Sequence, residues 1–293
     1  MKLLVIGAGG QVGHELRRSL VPLGEVVSVD YPELDLADAA ALRVCIRAHA
    51  PDVLVNAAAY TAVDKAEQEE ALALAVNGTA PGIMAEEMAR SGGLMVHYST
   101  DYVFDGHTPG ARVETDEPAP LSAYGRTKLA GERAVAAAGG AHLIFRTAWV
   151  YGRRGGNFML TMIRLMRERE ELRVVSDQHG TPTWCRLLAD VPARIIAAHW
   201  ADPERRAGLP SGLYHLTNAG ETTWHEYALA IRDLAPELAD RRHVRIHPIT
   251  TAEYPLPAPR PAWSVLDNGR LERTFGIRAE HWREALSRCL AET

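Results

Sequence analysis

The sequence predicts an α/β protein: a doubly wound parallel sheet over residues 1–150, and a smaller α/β lobe over residues 151–293, some of whose helices pack back on the first domain. Three observations predict it. Short continuous apolar runs alternate with helix-period stretches through the first half of the chain. A glycine-rich turn joins the first run to the first helical stretch. Past about residue 150 the alternation loosens, and Pro and Gly interrupt the segments.

The first strand is Lys2–Ile6, and Val26–Val29, Val53–Val55, Leu94–His97 and Leu143–Arg146 are similar runs, each ending in polar residues. Continuous apolar runs of this length suit strands buried on both faces. Helical periodicity covers roughly 11–22, 38–49, 65–90 and 122–138, which are rich in Ala, Leu, Glu and Arg. Strand and helix alternating at this spacing build right-handed βαβ units, so the strands lie parallel and helices cover both faces. In the second half, helices are expected near 157–170, 185–200, 224–235 and 279–291. The Pro-rich run Tyr254–Pro261 reads either as a rigid connector or as part of a binding wall.

Composition narrows the function classes. The chain has 293 residues, 47% hydrophobic and 24% charged, which excludes collagen, disorder and a small disulfide scaffold. A formal net charge of −5, from 32 Lys+Arg and 37 Asp+Glu spread along the chain, gives no basic field for nucleic acid or an anionic membrane. Cys45, Cys185 and Cys289 lie too far apart for a CxxC motif, and an odd number suits a reducing cytoplasm. No apolar run reaches the ~18–20 residues that span a bilayer, and Gly7 cuts the N-terminal run short of a signal peptide. A cytoplasmic location is the expectation. The 12 His show no metal-ligand spacing, so no metal is expected.

The turn Gly7-Ala-Gly-Gly10-Gln11-Val12-Gly13 fits G-x-x-G-x-x-G between strand and helix. Such a turn lets backbone N–H groups approach a pyrophosphate, and the helix N-terminus adds a favourable dipole. The second strand ends at Asp30, where an acid meets the ribose hydroxyls of a dinucleotide in a Rossmann-like fold. The alternative, that Asp30 merely caps a turn, is the less favoured reading. Asn56-Ala57-Ala58-Ala59-Tyr60 follows the third strand, and its small residues leave room for a cofactor at the sheet edge. Asn77, in the long Ala-rich helical stretch, reads either as an idle surface amide or as one that holds a kink and a water near the site, and the idle reading is favoured. The fourth strand brings Thr100 to the same edge. Tyr124 and Lys128 stand at i and i+4 on a helical stretch, so phenol and ammonium point into one site. An ammonium there favours the phenolate and draws the phenol's pKa down from about 10 toward neutrality, which makes Tyr124 a usable proton donor.

In this order, the glycine turn, Asn56-Ala-Ala-Ala, Ser99-Thr100 and Tyr124-x-x-x-Lys128 resemble the extended short-chain dehydrogenase/reductase family. More narrowly, Thr61–Glu67, Ser99–Phe104, Tyr124–Glu132, Phe145–Tyr151, Asp177–Thr183, Gly212–Leu216 and Arg260–Ser264 look like the dTDP-4-dehydrorhamnose reductases within it. The resemblance implies reduction of the C4 keto group of dTDP-4-dehydro-L-rhamnose with Thr100, Tyr124 and Lys128 as the catalytic trio. It implies NAD(P)H along Gly7, Gly10, Gln11, Val12, Gly13, Asp30, Asp35, Leu36, Ala59, Tyr60, Thr61, Tyr98, Tyr124 and Lys128. Thr100, Asp101 and Trp149 would face the sugar, and Asn157, Phe158, Arg260 and Ser264 are the candidates for the thymidine diphosphate side. Trp149 could also be a core residue under the second lobe.

NADH is expected to serve at least as well as NADPH, because no Lys or Arg follows Asp30 until Arg43. Some relatives bridge subunits through a divalent ion held by carboxylates. Here Glu15 is present, but Arg186 stands where another acid would be sought. A homodimer is the assembly the resemblance allows. Three alternatives stay open: another dTDP-4-keto-deoxysugar as substrate, dehydration or epimerisation of a nucleotide sugar, and a non-catalytic dinucleotide-binding regulatory subunit. Dehydratases of the family carry Asp-Glu after the catalytic Thr; this chain has Asp101-Tyr102, and elimination loses its proton acceptor.

Overall fold

Residues 1–292 are described by a computed structural model. In chain order its strands are β1 (Lys2–Ile6), β2 (Glu25–Val29), β3 (Val53–Asn56), β4 (Leu94–Thr100), β5 (His142–Thr147), β6 (Val150–Tyr151), β7 (Glu171–Val175), β8 (His179–Gly180), β9 (Thr183–Trp184), β10 (Gly212–His215), β11 (Thr222–Thr223) and β12 (Arg245–Ile249). The helices are α1 (Gln11–Leu20), α2 (Ala39–His49), α3 (Val63–Ala66), α4 (Glu70–Leu74), α5 (Ala80–Ser91), α6 (Ala123–Ala137), α7 (Phe158–Glu168), α8 (Cys185–His199), α9 (Trp224–Leu234), α10 (Gly269–Phe275) and α11 (Trp282–Ala291).

Six strands form one sheet in the order β10-β5-β4-β3-β1-β2, every pair parallel. Alternate residues of each strand feed two cores. Leu3, Val5, Val55, Val96 and Phe145 pack under α1 and α8, while Leu4, Ile6, Leu54, Met95 and Ile144 pack under α2, α5 and α6. After β2 the chain crosses back to pair β3 with the other side of β1. The strand order therefore reverses between β1 and β3, and a crevice opens outside their carboxyl ends, where ligands of such sheets bind.

The chain returns to this sheet well past residue 150: α8 packs along α1, and β10 adds the sixth strand beside β5. A separate core holds the rest of the second half, with Met159, Met162, Tyr227, Ile231 and Leu286 from α7, α9 and α11 packed on the parallel pair β7–β12. Thr223 and Glu226 form a capping box that starts α9. All three cysteines are free.

The continuous helix expected over 65–90 is broken into α3, α4, a π-helical turn at Ala75–Thr79, and α5. The π-helical turn has a local reason. Pro81 carries no N–H for the Asn77 carbonyl four residues before it, so the ladder lapses there and the chain bulges. Asn77 is not idle, contrary to the sequence reading: it is 1% exposed, and its amide spans to Tyr60 and Thr127.

Candidate active site

The crevice at the β1/β3 switch opens into a groove of about 530 Å³. Gly7 sits at φ +84°, and a Cβ there would lie 2.5 Å from the Ala58 nitrogen; one on Gly13 would lie 2.0 Å from the Gly7 carbonyl oxygen. Only glycine lets β1, β3 and α1 approach this closely. Asp30 accepts from the N–H groups of Gly9 and Tyr31, which holds its carboxylate at the turn and leaves lone pairs over the groove. Gly7, Gly10, Gln11, Val12, Asp30, Asp35, Leu36, Ala59, Thr61, Tyr98, Tyr124 and Lys128 all line this space. Gly13 lies beneath it, packed on the Gly7 carbonyl. Tyr60 does not line it: its backbone is bound by Asn77, and its hydroxyl donates to Glu69.

Thr100 ends β4, and Ser122 caps α6 by accepting from the Gly125 N–H at 3.2 Å. That cap puts Tyr124 and Lys128 on the first turns of α6, facing the end of β4. Lys128 is 2% exposed, and its Nζ donates to the Tyr98 carbonyl at 2.6 Å. Burial pulls the ammonium down to about 8, against the pull of Glu132. Burial pushes the Tyr124 phenol up to about 12, with the Thr100 hydroxyl acting in the opposite sense. The phenol thus stays protonated: desolvation dominates, Asp101 adds to it, and the lowering by the ammonium that the spacing suggests is not among the causes. Thr100 Oγ1 donates to Asp101 Oδ1 at 2.9 Å and accepts from the Tyr102 N–H at 3.2 Å. Burial raises Asp101 to about 6, while the hydroxyls of Ser264 and Thr100 pull it down.

The residues expected on the substrate side fall in four places. Ser264, 2% exposed, comes in beside Asp101 and Thr100. Trp149 and Phe158 meet around Trp224: the two indoles stack with centroids 3.5 Å apart, and Phe158 lies 4.6 Å from Trp224. Trp149 has φ +46°, a strained conformation for an aromatic residue, and is partly buried with one face covered. Asn157 caps α7 by accepting from the Leu160 N–H at 3.0 Å, and its amide donates to Gln11 Oε1 at 2.9 Å, which ties the second lobe to the glycine turn. Arg260 is not free over the cleft: its guanidinium forks onto Asp64 at 2.7 and 2.9 Å, pinning the Pro-rich run to the residues after β3. Away from the cleft, Arg186 pairs with both Glu15 and Glu292.

Sequence reasoning missed several residues of the groove. Ser99 and Thr147 line it with buried hydroxyls that find no partner among the described residues, as befits groups that would bind a polar ligand such as a nicotinamide carboxamide. Val150, Gly155, Gly156 and Leu188 reach it from beyond the first half of the chain. The Gly155-Gly156 pair was the one visible signal among these four. No helix among the described residues is long and apolar enough to cross a membrane.

The family described as RmlD substrate binding domain matches residues 1–293. The chain is 51% identical to the dTDP-4-dehydrorhamnose reductase of Burkholderia thailandensis, covering 100% of this chain and 99% of that one, and 41% identical to that of Escherichia coli K12, covering 100% and 98%. The crystal structure of the Bacillus anthracis dTDP-4-dehydrorhamnose reductase in complex with NADP superposes with a TM-score of 0.91 at 34% identity, over 100% of this chain and 99% of that one. A UDP-glucose 4-epimerase of Thermus thermophilus, at 19% identity and a TM-score of 0.78, shares the fold. Identity of this order over the whole length, together with the glycine turn and the Thr100, Tyr124 and Lys128 cluster, makes this chain a member of the dTDP-4-dehydrorhamnose reductase family.

Proposed function

We propose that the protein reduces the C4 keto group of dTDP-4-dehydro-L-rhamnose with NAD(P)H, giving dTDP-L-rhamnose. The observation that carries this reading is the meeting of Thr100, Tyr124 and Lys128 at the mouth of a groove whose glycine turn and Asp30 suit a dinucleotide. A bound nicotinamide supplies the hydride, and the protein supplies position and protons. Tyr124, held protonated by burial, gives its proton to the oxygen that becomes an alkoxide. Lys128 offers a cation one helical turn away, which favours the tyrosinate left behind, and it reaches toward the ribose. Thr100 turns its proton from Asp101 to the substrate oxygen and so holds that oxygen in line with Tyr124. Ser99 and Thr147 offer their unpartnered hydroxyls to the cofactor.

Asp101, Ser264 and Trp149 are assigned to the sugar, and Asn157 and Phe158 to the nucleotide side. Arg260 reaches the diphosphate only by leaving Asp64. The groove draws mainly on residues 1–150, and the lobe over 151–293 supplies the substrate wall. NADH serves at least as well as NADPH, the protein acts in the cytoplasm as a homodimer, and neither nucleic acid nor membrane is a partner. The purified protein should oxidise NADH when given dTDP-4-dehydro-L-rhamnose. Cofactor binding with no turnover on any dTDP-4-keto-6-deoxy sugar would mark a regulatory subunit instead.

A further inference from the structure

We propose that His97 is a positioning residue for Lys128: Asn56 locks it as the tautomer that carries its proton on Nε2, and it therefore turns a donor toward the lysine and favours the neutral amine. The argument begins with strand register. β3 and β4 pair Asn56 with His97, so the two side chains lie next to each other on the α6 face, 1% and 0% exposed. The backbone N–H of Ala58 donates to Asn56 Oδ1 at 3.1 Å, which settles the orientation of the amide. The Asn56 Nδ2 therefore faces His97 Nδ1, 3.2 Å away. An amide NH₂ only donates, so Nδ1 must present its lone pair, and the one proton of a neutral imidazole sits on Nε2. Burial, and then the charge of Lys128, hold His97 well below the ordinary imidazole range, so the doubly protonated ring is excluded near neutrality.

Nε2 lies 3.5 Å from Lys128 Nζ. An ammonium has only donors and gains nothing from a facing N–H, whereas a neutral amine can accept from it. The other groups around the lysine do not undo this preference. The Tyr98 carbonyl takes one of its protons, and the Tyr98 phenol points away, to the Leu188 carbonyl. Glu132, on the same helix, favours the ammonium, but its carboxylate is engaged on both oxygens by Arg146. Tyr124 shares the lysine's helix face, and Asp101 bears on Tyr124 from the end of β4. Asn77 and Thr127, beside them, are neutral. The lysine is thus poised to exchange its proton near neutral pH, and the alkaline loss of the proposed reductase activity should report it. This last step rests on the function proposed above; the tautomer does not.

Long-range ¹⁵N NMR of the ¹⁵N-histidine-labelled protein tests the tautomer without turnover. The His97 signals, identified by their loss in His97→Gln, should be those of the Nε2–H form between pH 6 and 9; an Nδ1–H ring overturns the proposal. In Asn56→Asp, the carboxylate keeps the Ala58 bond and accepts from Nδ1–H, so the ring should switch tautomer and offer Nε2 to the ammonium. The alkaline limb of kcat/KM should then move up by about one pH unit more than Asn56→Asp moves it in a His97→Gln background, where only the added charge acts. Equal movement in both backgrounds, with the tautomer switched, refutes the tuning of Lys128. Absence of turnover in the wild type refutes the reductase reading, and the NMR result still decides the tautomer.

Discussion

Replacing Glu132 by Gln should cost the protein about 3 kcal/mol of stability, the lower end of the range for stranding one partner of a buried ion pair. The Arg146 guanidinium donates to both Glu132 oxygens, at 2.9 and 2.7 Å, and the side chains are only 3% and 7% exposed. Among the described residues its Nη1 has no partner, and the Phe104 ring lies 5.0 Å from its charge. Gln would keep one acceptor and remove the compensating charge, so a desolvated cation would remain. At about 2–4 °C per kcal/mol for a chain of this class, the melting temperature should fall by roughly 6–12 °C. The clean assay is urea unfolding of both proteins, with the midpoint lowered and the slope unchanged. Because Glu132 favours the ammonium of Lys128, the alkaline limb of activity should also move to lower pH. The pair Glu132→Leu with Arg146→Met should recover most of the loss, since neither charge is then buried. A loss below about 1 kcal/mol for Glu132→Gln, the scale of an exposed pair, would refute the reasoning.

Tyr124→Phe should lower kcat by about 10²–10⁴ with NADH affinity nearly unchanged, whereas Lys128→Met should damage both; steady-state kinetics and cofactor titration separate them, and a Phe variant with over about a third of wild-type kcat would send the search for the proton donor to Thr100 or a water. At the adenosine end, Asp30 meets a 2′-phosphate with no Lys or Arg in the turns that follow, before Arg43 on α2, so a kcat/KM for NADPH tenfold or more above that for NADH would break its assignment. Asp101→Asn should stabilise the fold at neutral pH. Burial lifts the native carboxyl from its ordinary value of about 3.9 to about 6, so the folded state takes up its proton more readily than the unfolded one. Stability is therefore lost as pH rises from about 4 to 6, and the Asn variant, spared that loss, should gain roughly 3 kcal/mol above pH 6 and progressively less toward pH 4. A gain that does not vary with pH in denaturant titrations would rule the carboxyl out as its source.

The sequence by itself determined the parallel sheet, the glycine turn with Asp30, and the cluster of Thr100, Tyr124 and Lys128. These are local patterns: buried strands write continuous apolar runs, a turn against backbone demands glycine, and helical spacing puts Tyr124 and Lys128 on one face. What it left undecided depends on which distant groups share a low-dielectric space. Tyr124 alone reads as a phenol lowered by its neighbour, but burial decides the sign. Asn77 reads as idle until Pro81 opens the helix and Tyr60 and Thr127 arrive from other elements. Arg260 reads as a free cation until Asp64, nearly two hundred residues away, takes it. The strand β10, the hydroxyls of Ser99 and Thr147, and the Asn56–His97–Lys128 contacts carry no periodic signal, since register and crossing between elements, rather than spacing along the chain, bring them together.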